Sequence, residues 1–292
     1  TFQAHIVANA TEACAIEAAT RAEIKAIAYK GHLPFGAAEM DLFPNLGVIA
    51  NYGVGYDAID VAAASARSIK VTNTPDVLND DVADLAIAMW ISQGREMRQA
   101  EAWVRDGNWA TKGDYRLNRK VSASKVGVMG MGRIGRDIAD RLAAFRTEVH
   151  YHSRSEKQTP GWTYHADPVS LAKAVDFLFV ALVGGAATQN YVSRDVIAAL
   201  GPRGVLINIS RGSTVDEEAL LDALENGTIA GAGLDVFLGE PKINPRFLTL
   251  DNVVLQPHQG SGTVETRAAM AKLQRDNVAA HLAGAPLLTP VN

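Results

Sequence analysis

The most restrictive stretch of this sequence runs from Lys125 to Leu142. An apolar run, Lys125–Met129, leads into Gly130-Met-Gly132-Arg-Ile-Gly135, and Ile134, Ile138 and Leu142 then recur every four residues. The first part suits a strand covered on both faces. The last is the apolar stripe of a helix. The glycines sit where a strand-to-helix turn must fold tightly, admit a pyrophosphate close to backbone, and let helix and strand pack closely. The unpaired amides and positive dipole end of the helix suit phosphate oxygens. Gly130, Gly132, Arg133, Ile134 and Gly135 are therefore candidate cofactor-binding residues on a Rossmann-type, doubly wound parallel sheet.

The chain keeps this α/β rhythm on either side. Strand candidates follow at Glu148–His152, Val175–Leu182, Gly204–Ser210, Gly231–Phe237 and Asn252–Gln256. Ser193 is expected to cap a helix that Gly201-Pro202 stops. Thr214-Val-Asp-Glu217 reads as the capping box of another, ending at Asn226-Gly227. A smaller α/β pattern comes first, with strand candidates Ala4–Ala8, Ala26–Tyr29, Gly47–Ala50 and Lys70–Val71, and a long helix opens at Asn79-Asp80-Asp81. A last helix over about 264–282 is expected to return to the first pattern, because a terminal helix needs a surface to pack on. The expected division is thus one domain of residues 1–72 and 268–292, and a second of 73–267.

Composition removes several classes of function. Lys plus Arg number 28 and Asp plus Glu 32, a net charge of −4, so no basic excess exists to neutralise nucleic-acid phosphates. At 48% apolar the chain is too hydrophobic to be disordered. No uncharged apolar run reaches about 18 residues, so no membrane span is expected. One cysteine, Cys14, cannot form an internal disulfide, and the first residues lack the basic-then-apolar build of a secretory signal. A reducing, cytoplasmic location is the expectation.

The choice of dinucleotide turns on the end of the second strand. There an acidic residue about 20 positions after the glycines accepts the ribose hydroxyls of NAD. Here the tip reads His152-Ser153-Arg154-Ser155, and Glu156 comes only afterwards. A carboxylate would repel a 2′-phosphate, whereas serine hydroxyls and a planar guanidinium donate to it. Ser153, Arg154 and Ser155 therefore point to NADPH/NADP rather than NADH, with Arg133 and Lys157 adding positive potential.

Three polar residues follow later strands: Arg211 in Ile209-Ser-Arg-Gly212, Glu240 in Gly239-Glu-Pro241, and His258 in Gln256-Pro-His-Gln-Gly-Ser261. Ligands of open α/β sheets bind at the carboxyl ends of strands, where all three lie. Reducing a 2-oxo acid needs a cation for the carboxylate and carbonyl, a proton donor and a hydride source. Arg211 suits the first through bidentate contact and His258 the second. Glu240 would orient the imidazole and favour its protonated form. A nicotinamide would bring the hydride. No metal is required, and His150, His152 and His165 lack metal-ligand spacing with Cys or acidic residues. Ser153 has no nucleophile-elbow context.

Asn51-Tyr-Gly-Val-Gly-Tyr-Asp57, Ile59-Asp60, Gly130–Gly135, Ile209–Gly212, Gly233-Leu-Asp-Val-Phe237, Gly239-Glu-Pro241 and Pro257-His-Gln-Gly-Ser261 occur in that order. Together, over nearly the whole chain, they resemble the D-isomer-specific 2-hydroxyacid dehydrogenases, in particular the glyoxylate/hydroxypyruvate reductases, which commonly use NADPH, and their hydroxyphenylpyruvate-reducing relatives. The resemblance implies that Arg211 binds substrate, Glu240 partners the histidine and His258 is the acid/base. It assigns Val54 and Gly55 to the loop whose amides hold the substrate carboxylate, and Val183, Ile209 and Asp235 to the nicotinamide side of the cofactor. Gly260, with the cofactor, and Ser261, with the substrate, complete the histidine loop. The first domain is then a flavodoxin-like substrate-binding domain. The second binds the dinucleotide and carries the helical region around Asp80–Trp109 through which the family dimerises; whether Ala86, Met89 and Trp90 belong to interface or core stays open. The sequence departs from the family at an amino-terminal strand of which little precedes Phe2–Val7, at Gln259 where an aliphatic residue is usual, and at Gly184-Gly-Ala-Ala187 where a proline is usual.

The expected function is NADPH-dependent reduction of small 2-oxo acids such as glyoxylate and hydroxypyruvate by a homodimer. The alternative from another class is a nucleotide-sensing interaction protein like the dehydrogenase-related corepressors; these favour NAD(H), against the arginine at the strand tip. The same-class alternative is an NAD-dependent lactate, phosphoglycerate or hydroxyphenylpyruvate-reducing type.

Overall fold

The computed structural model describes residues 3–31 and 33–292. The chain divides into two compact units, Thr1–Val77 with Thr263–Asn292, and Leu78–Gly262. The seams thus fall at 77/78 and 262/263, against 72/73 and 267/268 from the sequence. In order, the first 77 residues hold α1 (Ala10–Cys14), α2 (Ala18–Glu23), β1 (Ala26–Tyr29), α3 (Ala37–Met40), β2 (Val48–Asn51), α4 (Val61–Ala66) and β3 (Lys70–Thr72). Then come α5 (Asn79–Gly94), α6 (Met97–Arg105), α7 (Asn108–Lys112), β4 (Lys125–Met129), α8 (Arg133–Ala144), β5 (Glu148–His152), β6 (Thr163–His165), α9 (Pro168–Ala174) and β7 (Phe177–Val180). The last are α10 (Arg194–Leu200), β8 (Val205–Asn208), α11 (Glu217–Glu225), β9 (Gly231–Leu234), β10 (Val253–Leu255) and α12 (Val264–Leu282).

The larger unit is a seven-stranded sheet in the order β10-β9-β8-β7-β4-β5-β6, with every pairing parallel. The chain leaves β4 toward β5 on one side and returns to β7 on the other. That reversal opens the crevice where such sheets bind ligands. β7, β8 and β9 are buried at every position, the mark of strands covered on both faces. Ala86, Met89 and Trp90 of α5 are core residues, and Trp90 meets Phe145, Phe177 and Phe179 edge-on.

The smaller unit holds a parallel sheet in the order β1-β2-β3. Its core gathers Met40, Phe43, Ile49, Ile59 and Val71. The terminal α12 belongs to this unit: Gln274 Nε2 donates to the carbonyls of Tyr29 and Ala50, tying the helix to the ends of β1 and β2.

Several local expectations need correction. Ala4–Ala8 is not a strand; Ile6 is 98% exposed, and no strand is paired with this segment among the described residues. Phe2 lies outside the described residues. Thr214 does not cap α11. Asp216 does, accepting from the Ala219 amide at 3.1 Å, while Thr214 Oγ1 donates to the Arg211 carbonyl and Glu217 accepts from the Leu238 amide. Asp216 stands immediately before the first helical residue, so its carboxylate reaches the free amides directly. Ser193 stands at the cap position of α10 without a side-chain cap bond. β6 was not foreseen. The long helical region breaks into three, at Arg95-Glu96 and at Gly107, where Glu96 and Gly107 take positive φ. Among the described residues no helix is long and apolar enough to cross a membrane.

Candidate active site

The turn after β4 is shaped by its glycines. Gly130 takes φ +101°, a region that favours glycine, and a Cβ there would meet the Ala181 carbonyl oxygen at 2.5 Å. A Cβ on Gly135 would stand 1.9 Å from the Gly130 carbonyl oxygen, so the first turn of α8 presses directly on the loop. A Cβ on Gly132 would meet nothing within 4 Å, leaving open space before the amino end of α8. A tight turn, a close helix and an open mouth are what a pyrophosphate needs, so these residues fit a dinucleotide. Arg133 and Ile134 open α8 beside that mouth. The Gly130 amide donates to the His152 carbonyl at 2.9 Å, which fixes the neighbouring tip of β5.

At that tip Ser153 Oγ donates to the Ser155 carbonyl at 2.6 Å, and Lys157 Nζ reaches Ser155 Oγ at 3.3 Å. Arg154 and Ser155 are exposed. No acid stands between His152 and Ser155.

The candidate chemical residues sit at the same, carboxyl end of the sheet. Arg211 follows β8 and donates through a terminal guanidinium nitrogen to the Ser210 carbonyl at 2.8 Å. A Cβ on Gly212 would lie 2.0 Å from the Phe237 carbonyl carbon, so glycine lets the Arg211 loop lie on the turn after β9. In that turn Glu240 Oε1 accepts from the Phe237 amide at 2.7 Å, and Oε2 lies 2.6 Å from His258 Nδ1. A chain of contacts thus links the loops of Arg211, Glu240 and His258. One ring nitrogen of His258, Nδ1, thus faces a carboxylate.

His258 itself takes φ +50°, an uncommon conformation for a residue with a side chain. Asp235 holds it there. Its carbonyl accepts from the His258 amide at 2.9 Å, while Oδ1 and Oδ2 accept from the amides of Gln259 and Gly260, each at 2.8 Å. Burial pushes the Asp235 carboxyl above its ordinary value, against the two amides and the nearby His258. Ile209 is buried at the end of β8 and Val183 is 74% exposed after β7. Ser261 is half-buried at the end of the histidine loop. Among the described residues no group of three or more His, Cys, Asp or Glu is placed to hold a metal ion.

Residues 87–260 match the description of the NAD-binding domain of D-isomer-specific 2-hydroxyacid dehydrogenases. The chain is 45% identical to a hydroxyphenylpyruvate reductase of Plectranthus scutellarioides over 268 residues, covering 92% of this chain and 85% of that protein. A 2-hydroxyacid dehydrogenase from Ketogulonicigenium vulgare Y25 superposes with a TM-score of 0.90 at 54% identity, over 96% of this chain and 88% of that one. An NADPH-dependent glyoxylate/hydroxypyruvate reductase from Sinorhizobium meliloti, in complex with NADP and malonate, gives 0.90 at 48% identity, over 95% and 86%. The chain belongs to the D-isomer-specific 2-hydroxyacid dehydrogenase family.

Other parts of this 2-hydroxyacid dehydrogenase lie in the smaller unit or were not foreseen. Val54 and Gly55 follow β2, and their loop is fixed from below. Asn51 Nδ2 donates to the carbonyls of Gly53 and Gly55 at 3.1 and 2.9 Å, and Asn73 Nδ2 donates to that of Val54 at 2.9 Å. Thr74 exchanges bonds with Gly53. Three loop carbonyls are thereby committed to side chains. Asn73 and Thr74 escaped the sequence reading; buried polar residues just after a strand were the available signal. Gln259, which departs from the family pattern, donates through Nε2 to Gln256 Oε1 at 2.6 Å.

Proposed function

We propose that this dehydrogenase reduces small 2-oxo acids, glyoxylate and hydroxypyruvate foremost, to 2-hydroxy acids with NADPH. The observation that carries the reading is the 2.6 Å pairing of His258 Nδ1 with Glu240, on the sheet end that also carries the glycine turn. The glycine turn would hold the pyrophosphate of the dinucleotide, whose reduced nicotinamide would supply the hydride. Arg211 holds the carboxylate and polarises the carbonyl. Val54 and Gly55 serve substrate binding through the backbone amides of their loop, which makes the smaller unit the substrate-binding one. His258 Nε2 gives its proton to the carbonyl oxygen as the hydride arrives, and Glu240 keeps the ring in the orientation that permits it. Val183, Ile209, Asp235 and Gly260 line the nicotinamide side, and Ser261 the substrate side.

NADPH is favoured over NADH because the β5 tip offers Ser153, Arg154 and Ser155 and no acid. The named substrates of relatives, hydroxypyruvate and hydroxyphenylpyruvate, support the 2-oxo acid class. A cytoplasmic homodimer completes the reading, since a lone exposed cysteine fits a reducing compartment.

Loss of NADPH absorbance with glyoxylate or hydroxypyruvate, using the purified chain, tests this. His258→Ala and Arg211→Ala are each expected to lower kcat/KM by at least about 100-fold. No NADPH consumption by the wild type, or near wild-type turnover in either variant, would refute it.

A further inference from the structure

The loop bearing Arg154 is closed by a buried hydroxyl. Tyr151, the penultimate residue of β5, is fully buried. Its hydroxyl accepts from the Lys157 amide at 2.8 Å and donates to the Lys157 carbonyl at 3.0 Å. One side chain thus satisfies both backbone groups of a residue six positions on, as a neighbouring strand would. From β6, Tyr164 Oη donates to the Ser153 carbonyl at 3.3 Å, and the two tyrosine rings lie 5.4 Å apart. Two phenols on adjacent strands therefore hold the two ends of the 153–157 loop. The Ser153 hydroxyl spans its middle, to the Ser155 carbonyl.

The loop carries Arg154, Ser155 and Lys157, the donors an anion would meet. An exposed five-residue loop left to itself samples many shapes, and a ligand must order it on binding. Closed on Tyr151, it is ordered beforehand. We propose that Tyr151, assisted by Tyr164, is a positioning residue for cofactor choice: it holds the 153–157 loop in the shape that receives the 2′-phosphate of NADPH. Neither tyrosine touches the cofactor in this role. The inference rests on the NADPH reading above, and goes beyond it by placing part of the selectivity in a buried hydroxyl outside the Ser-Arg-Ser tip.

Replacing Tyr151 with phenylalanine keeps the ring in the core and removes only the oxygen. The Lys157 amide and carbonyl then turn to water, and the loop opens. A ligand without a 2′-phosphate does not depend on that loop, so the two classes of ligand part company. Calorimetric binding of 2′,5′-ADP and of ADP measures this without turnover, with kcat/KM for NADPH and NADH as a second readout. In Tyr151→Phe the affinity ratio of 2′,5′-ADP over ADP is expected to fall about fivefold or more, and the NADPH/NADH ratio of kcat/KM to fall with it. A general structural defect would weaken both ligands alike, and that result, like an unchanged ratio, overturns the proposal. If Tyr151→Phe does not fold, Tyr164→Phe decides: a fall of about twofold or more supports the clamp, and no fall overturns it. Arg154→Ala separates the two layers. Where it collapses the ratio and Tyr151→Phe does not, the clamp alone is wrong. Where the wild type shows no preference for 2′,5′-ADP, the NADPH reading fails and the clamp falls with it.

Discussion

Asp235 shows how a single side chain fixes the geometry of another. Its two oxygens accept from the amides of Gln259 and Gly260, and its carbonyl from that of His258, so the imidazole projects from a backbone held in a left-handed turn. Asparagine at 235 would keep one acceptor and set an NH2 group against the other amide. The electrostatics run the other way. Burial raises the Asp235 carboxyl above its ordinary value, so its ionisation opposes folding. That cost is absent below the ordinary carboxylate value and complete above the folded one. Asp235→Asn removes the cost while disordering the loop. We therefore expect kcat to fall about tenfold or more while the melting temperature moves by only a few degrees. A variant with wild-type kcat would remove Asp235 from the positioning of His258. Arg211, Glu240 and His258 could be singled out as candidates because each follows a strand in a short, chemically unusual segment. The double acceptance by Asp235 was not, since it depends on amides 24 and 25 residues away that carry no side-chain signature.

At the scale of elements, the edge of the large sheet contains an unusual pairing. β6, the outermost strand, is only three residues long. Its His165 Nε2 lies 3.0 Å from His150 Nδ1 on β5, and its Nδ1 lies 3.1 Å from Ser170 Oγ on α9. Glu148 approaches the far side of His150, at 3.0 Å. Burial, then the neighbouring His150 and His152, push the His165 imidazole below its ordinary value, against the opposing pull of Asp167. The native state therefore binds fewer protons here than the unfolded chain. The stability from this group is complete above the ordinary histidine value and is lost as pH falls from there toward the lowered one. Between about pH 7.5 and 5.5 the wild type should lose more melting temperature than His165→Asn, which has no second imidazole to charge. Parallel curves for the two proteins would show that the histidine pair does not govern this edge. The same strand marks a limit of sequence pattern: three residues that carry a histidine and two other polar-tipped side chains show no apolar alternation. Ala4–Ala8 is the converse, with strand-like composition and no paired neighbour among the described residues.

For the whole molecule, the parallel α/β rhythm was readable because strands covered on both faces must be apolar throughout, as β7 and β8 are. Surface apolar residues carry no such rhythm, and the sequence alone left open which of those around residues 80–109 are core. The structure separates them. Ala86, Met89 and Trp90 are buried within the chain, whereas Met97, Val104, Trp109 and Leu117 are 53%, 55%, 60% and 99% exposed. Four large apolar side chains within 21 residues, all on the larger unit, are costly to leave in water and are the usual material of an interface. A second copy of the chain is the partner that the proposed homodimer supplies, and these residues are where it would be felt. Sedimentation of the wild type should then give about twice the 31.1 kDa chain mass at micromolar concentration. Val104→Glu with Leu117→Glu introduces two carboxylates at exposed positions, so the chain itself should stay folded while the assembly falls to a single chain mass. A wild type that sediments at 31.1 kDa, or a folded double variant that keeps the doubled mass, would exclude these residues as the seat of dimerisation.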